Sequence, residues 1–175
     1  MSKFVSGYSK VMDRIVKIIK IIIAIALVLM VVITFVEVIR RYAFGKSFVW
    51  AEELNRFLMV GMTFIGGAAA YKLGGMAAFD LILTKLSVSN KKAVKILTII
   101  DHVLVGAVST YLAYNGFVYT FSPVVSKMTS SGLKVNMLIP YITIPIGFAC
   151  ITLFAIEHIL KTVEDKKGEQ DSCLL

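Results

Sequence analysis

The sequence predicts an all-α integral membrane protein. The expected plan is four transmembrane helices, a basic amphipathic helix at the N-terminus and a short interfacial helix between the first two spans. Three observations carry this. Hydrophobic residues fill 58% of the 175 positions, with a mean hydropathy of +0.82, against ~45–50% apolar content in soluble domains. That excess is gathered into a few long runs, and the charged residues cluster at the ends of those runs, as orientation signals and anionic-lipid contacts do. One membrane domain over residues 1–175 fits this length and leaves no room for a separate soluble catalytic module. The net charge of +8 therefore reads as a membrane signal and not as a nucleic-acid footprint. Cys150 lies in an apolar run and Cys173 in the polar tail, which gives neither a disulfide framework nor a zinc spacing.

The first twenty residues carry Phe4, Val5, Tyr8, Val11, Met12, Ile15, Val16 and Ile19 at three- and four-residue steps, with Lys3, Lys10, Arg14 and Lys17 on the other side. This is an amphipathic helix, expected to lie on the cytoplasmic leaflet or to extend the first span, with its lysines snorkelling. The first span covers about residues 18–39, interrupted by Lys20 and Glu37. It is long enough to cross and too long for a cleaved signal peptide. The second is expected over 57–83, continuing through Lys72 and the Gly74-Gly75 pair because the uncharged stretch ending at Tyr71 is short for a crossing. The third runs over 96–121 and contains Asp101 and His102; the fourth runs over 137–160 with Pro140 and Pro145 in its first half. A static bend at Pro145, eased by Gly147, is expected.

Lysine and arginine counts orient the spans. Lys3, Lys10, Arg14, Lys17, Lys20, Lys85, Lys91, Lys92, Lys95, Lys161, Lys166 and Lys167 fall on one side; Arg40, Arg41, Lys46, Arg56, Lys127 and Lys134 fall on the other. The positive-inside rule then places both termini in the cytoplasm.

The polar segment from Arg40 to Arg56 stands apart from the apolar sequence around it. Ser47 can cap a helix start, and Glu52-Glu53 follow within two turns, where carboxylates still favour the positive end of the dipole. Trp50, the one tryptophan, suits headgroup depth, and Glu52 and Arg56 form an i,i+4 pair. So many charges at a headgroup boundary ask for partners. Arg41 and Glu53 are expected in ion pairs that fix the interfacial helix against the first span or a second protein, while an aromatic belt residue with solvated charges accounts for the same composition without a special role. The small-residue face around Gly66-Gly67 permits close helix approach in lipid, either within the chain or to a partner.

No nucleophile–base arrangement, phosphate loop or HExxH spacing is present. Asp101 and His102 are the remaining intramembrane polar candidates, for a structural ion pair or partner contact, or for a proton or cation relay. On the relay reading the chain is a small ion- or proton-conducting membrane protein using Asp101 and His102, with Asn115.

Arg41-Tyr42-Ala43-Phe44, then Ser47, then Trp50-Ala51-Glu52-Glu53-Leu54 with Arg56, followed by Phe64-Ile65-Gly66-Gly67-Ala68-Ala69-Ala70 and Asp80-Leu81, resembles the small membrane subunit (DctQ-like) of tripartite ATP-independent periplasmic (TRAP) transporters. Leu133 and then Pro140-Tyr141-Ile142-Thr143-Ile144-Pro145-Ile146-Gly147-Phe148 look like that family's fourth span. The resemblance covers roughly residues 35–160. One departure is the absence of the histidine that the family often carries before the aspartate of the second span; here Lys72 is followed by Leu73-Gly74-Gly75-Met76. The resemblance implies a non-enzymatic scaffold in the bacterial or archaeal cytoplasmic membrane. It implies as partners a large elevator-type membrane subunit, a periplasmic substrate-binding protein and membrane lipids. It implies no cofactor in this chain, sodium coupling in the large subunit, and uptake of an organic acid such as a C4-dicarboxylate or sialic acid.

Overall fold

The structure, a computed structural model, describes residues 2–45, 48–74 and 91–171. The described chain is helical, in the order α1 (Ser2–Phe44), α2 (Val49–Lys72), α3 (Lys91–Thr120), α4 (Pro123–Lys127) and α5 (Leu138–Asp171). α5 packs most extensively on α3 and α2, and α1 lies along α2 with a smaller contact to α5.

The N-terminal amphipathic segment and the first span form one uninterrupted helix. At 43 residues α1 is about 65 Å long, roughly twice the ~30 Å hydrocarbon thickness. Its apolar stripe does not lie free on a leaflet: Met12, Val16 and Ile19 are buried in a core with Ala68, Ala69 and Tyr71 of α2 and Phe154 and Ala155 of α5. The three- and four-residue spacing that predicts the amphipathic face is thus the spacing of an intramolecular packing seam.

Among the described residues, three stretches are long and apolar enough to cross a membrane: Val5–Phe44, Ile96–Thr120 and Leu138–Thr162. α2, at 24 residues, is about 36 Å long, but its first two turns are charged and its last two are glycine and alanine, which leaves it outside those three. Two expectations are corrected here. The short interfacial helix is no separate element, because residues 49–56 are the first turns of α2. The second helix also stops before the glycine pair and does not run through it. Leu73 N–H reaches Ala69 O (3.2 Å) and Ala70 O (3.1 Å), Gly74 N–H reaches Tyr71 O (3.2 Å), and Gly74 takes φ +75°, the left-handed cap that only glycine adopts readily. The expected continuation over Met76–Leu83, including Asp80, lies outside the described residues, as does Ser47.

α5 runs through Pro145. The ring removes the donor that Tyr141 O would otherwise meet, and the Thr120 hydroxyl of α3, bonded to Gly116 O at 2.7 Å, lies 3.4 Å from that carbonyl. Pro145 itself is fully buried against Gly116, where an added Cβ would stand 3.2 Å from the proline Cβ. Two residues on, a Cβ on Gly147 would meet the Phe64 carbonyl carbon, oxygen and Cβ at 2.8 Å. The glycine is therefore what lets α5 touch the α2 backbone.

Candidate interface site

The sequence-predicted residues divide between the two ends of the bundle. At one end meet the C-terminus of α1, the start of α2 and the loop between α4 and α5. At the other lie the N-terminal half of α1, the end of α2 and the inward parts of α3 and α5.

At the first end the Arg40 guanidinium stacks 3.5 Å above the Phe48 ring, and Phe48 in turn packs on Trp50 at 5.2 Å between centroids. This cation–π contact draws the end of α1 onto the start of α2. Asn55 Nδ2 of α2 donates to Thr34 Oγ1 of α1 (3.0 Å). Arg56 and Glu52 form the expected i,i+4 pair at 2.7 Å. Both side chains are mostly exposed, which puts the pair in the ~0–1 kcal/mol class.

Glu53 does not meet Arg41. Among the described residues its carboxylate is engaged by the loop that precedes α5: the Ser130 hydroxyl donates to Oε2, as do the backbone N–H groups of Gly132 (3.0 Å) and Leu133 (3.1 Å). Successive N–H groups turned inward make an anion-binding concavity, here filled by a side chain of the same protein. A Cβ on Gly132 would stand 3.0 Å from Glu53 Oε2 and 3.1 Å from Val49 C. The Ser130 bond, joined by the N–H groups of Leu133, Gly132 and Ser131 and opposed by desolvation, holds the Glu53 carboxyl below its ordinary 4.5. The loop is closed by Ser130 N–H to Val135 O (2.9 Å) and Met137 N–H to Met128 O (3.0 Å). Asn136 Oδ1 caps α5 at the Leu138 N–H (2.9 Å). Arg41 is left exposed at the end of α1, without an ion-pair partner among the described residues. A local backbone concavity can satisfy a carboxylate as well as an arginine can, and sequence pairing rules based on charge alone do not see it. A residue order of Ser130-Ser131-Gly132, small and turn-forming, was the signal available.

The small-residue face of α2 is split. An added Cβ on Gly66 would come within 3.3 Å of Ile23 Cδ1 of α1, whereas Gly67 has nothing within 4 Å and is exposed with Ala70. Ala68 and Ala69 are buried in the core.

At the other end Asp101 and His102 join a cluster that includes Tyr71, Lys72 and residues of α1 and α5. His102 Nδ1 lies 3.9 Å from Asp101 Oδ2, beyond hydrogen-bond length. It is instead 2.7 Å from the Tyr71 hydroxyl. The His102 ring stacks on His158 at 4.8 Å and 20°, and Tyr71 meets both imidazoles edge-on. Beside them Lys72 bonds Glu157 and lies 3.2 Å from Asp13, and Lys161 reaches Glu157 at 2.7 Å. Lys72 is 6% and Glu157 1% exposed, so this pair ties α2 to α5 from the inside, and the mostly exposed Asp13 joins α1 to it. Neither Glu157 nor His158 stood out in the sequence; the two form an adjacent polar pair near the end of an apolar run, and only the helix packing reveals their partners. Asn115 donates to its own helix at Tyr111 O (2.9 Å) and takes no part in the cluster.

The chain matches the family described as tripartite ATP-independent periplasmic transporters, DctQ component, over residues 30–165. It is 29% identical over 128 residues to the ectoine TRAP transporter small permease protein TeaB of Halomonas elongata, an alignment covering 73% of this chain and 65% of that protein. The chain thus spans 65% of that relative's length.

Proposed function

The chain belongs to the DctQ component family of tripartite ATP-independent periplasmic transporters, a family of transporter small subunits and not of enzymes, and we propose that it acts as the fixed scaffold of its complex. On this reading it sits in the cytoplasmic membrane with both termini inside. α2 serves as a further crossing, and the exposed faces of α1 and α2 receive a large membrane subunit that moves substrate delivered by a periplasmic binding protein. The observation that carries the proposal is the family match across residues 30–165, which takes in the polar segment, α2 and most of α5 together.

The packing supports a scaffold over a conductor. The intramembrane polar groups are engaged with one another: His102 with Tyr71 and His158, Lys72 with Glu157 and Asp13. Held this way, each group resists the reorientation that a relay requires. A moving transport domain needs an immobile frame in the bilayer, and α2 and α5, tied by the buried Lys72–Glu157 pair, make a stiff one. The substrate is an organic acid on our reading, taken up with sodium through the large subunit. Ectoine belongs in the assay because the relative is named for it.

Pull-down of the tagged chain from detergent extracts, followed by uptake assays in vesicles with each component present or omitted, tests the proposal. Copurification of a large polytopic subunit and uptake only in its presence are expected. Ion flux or solute uptake by this chain alone would refute it.

A further inference from the structure

An apolar groove of about 390 Å³ opens between α1, α2, α5 and the loop before α5. Ala26, Leu58, Gly61, Leu133, Val135 and Thr143 are among its walls. The Thr143 hydroxyl turns away to Pro140 O at 2.6 Å, so the interior is hydrocarbon throughout. The volume falls in the ~300–1,000 Å³ range of ligand sites.

The rim supplies the opposite chemistry. Lys134 stands between Leu133 and Val135, two residues of the groove wall, and is exposed. Its φ of +52° is the one left-handed value at a non-glycine among the described residues, and such a conformation persists only where the surroundings enforce it. Here the Lys134 N–H to Ser130 O bond (3.1 Å) and the Ser130–Val135 bond enforce it, and Glu53 fixes the same loop from α2. Lys134 has no ion-pair partner among the described residues, while the nearby Glu53 carboxylate is taken up by the loop itself.

We propose that this groove is a lipid site: it holds one acyl chain of an anionic phospholipid, with the phosphate at Lys134. The apolar slot and the exposed Lys134, held between two residues of its wall, match an amphiphile with a slender hydrocarbon tail and a negative head. The inference requires a membrane-embedded chain and is independent of the scaffold reading.

The full chain is purified in mild detergent and titrated with phosphatidylglycerol or phosphatidylcholine, and bound lipid is counted by native mass spectrometry. One phosphatidylglycerol per chain is expected. Lys134→Asn, which tolerates the left-handed backbone, is expected to weaken it about fivefold, one lysine's share of attraction to an anionic surface. Ala26→Phe, which fills the slot, is expected to reduce it about tenfold or more, and Leu58→Phe repeats that test from α2 should the first variant not be recovered. Gly67→Ala, away from the groove, is expected to bind as the parent does. Undiminished phosphatidylglycerol in the filled variants would overturn the site. Equal retention of both lipids with a silent Lys134→Asn would overturn the headgroup assignment.

Discussion

Replacing Gly147 by alanine tests the closest contact made at any described glycine. The new Cβ would stand 2.8 Å from three atoms of Phe64, two of them backbone. Carbon contacts are comfortable at ~3.5–4.0 Å, so α2 and α5 would have to part locally by about 0.7 Å or more, and neither backbone atom can rotate away. Overpacking of this kind costs about 1–3 kcal/mol. Taking ~2 kcal/mol, the thermal midpoint of a chain this size should fall by roughly 4–8 °C. Gly67→Ala is the matched control: its Cβ meets nothing within 4 Å, and the helix propensity of alanine should hold stability level or raise it by up to ~1 kcal/mol. With Cys173 replaced by serine, the half-buried Cys150 thiol becomes the reporter, and a thiol-reactive dye follows unfolding in detergent. A Gly147→Ala midpoint within a degree of the parent would show that α2 and α5 do not touch as described.

Removing one partner of the Lys72–Glu157 pair, by Lys72→Met or Glu157→Gln, should destabilise the chain by less than the ~3–5 kcal/mol of an uncompensated buried charge, because Glu157 keeps Lys161 at 2.7 Å and Lys72 keeps Asp13 at 3.2 Å; the same dye assay reads this. Glu53→Gln should loosen residues 130–133, measured as faster amide exchange at Gly132 and Leu133. Since the folded Glu53 carboxyl lies below its ordinary 4.5, the clamp's stabilisation is fully present above that value and is lost as pH falls through the lower folded value. Acidification in that window should loosen the parent and leave Glu53→Gln unchanged. Arg41→Lys should leave the midpoint of the isolated chain unaltered, as Arg41 has no ion pair there among the described residues, and any loss should appear only as reduced recovery of the large subunit; a lower midpoint for the chain alone would show an internal partner. Arg56→Ala should shift stability by no more than ~1 kcal/mol, the limit for an exposed i,i+4 pair.

The sequence by itself determined the solvent and the elements. Runs of large aliphatic residues, uncharged over some twenty positions, can satisfy their backbone groups in lipid only as helices. The apolar runs ending near residues 39, 121 and 160 accordingly meet helices that end at Phe44 and Thr120 and, for α5, run on past residue 160. The residues of the polar segment and of α2 that carry the family resemblance were legible for the same local reason. Tertiary structure alone decided which polar groups far apart in sequence meet. Glu53 finds Ser130 77 residues away and Lys72 finds Glu157 85 residues away, and such choices depend on which helix faces pack together. The end of the second helix was decided at Gly74, where a left-handed cap won over continuation. The N-terminal stripe is expected from its spacing to be an amphipathic face, and only the fold shows Met12, Val16 and Ile19 meeting Ala68, Ala69 and Phe154. Periodicity tells a helix which side to bury; it does not say against what.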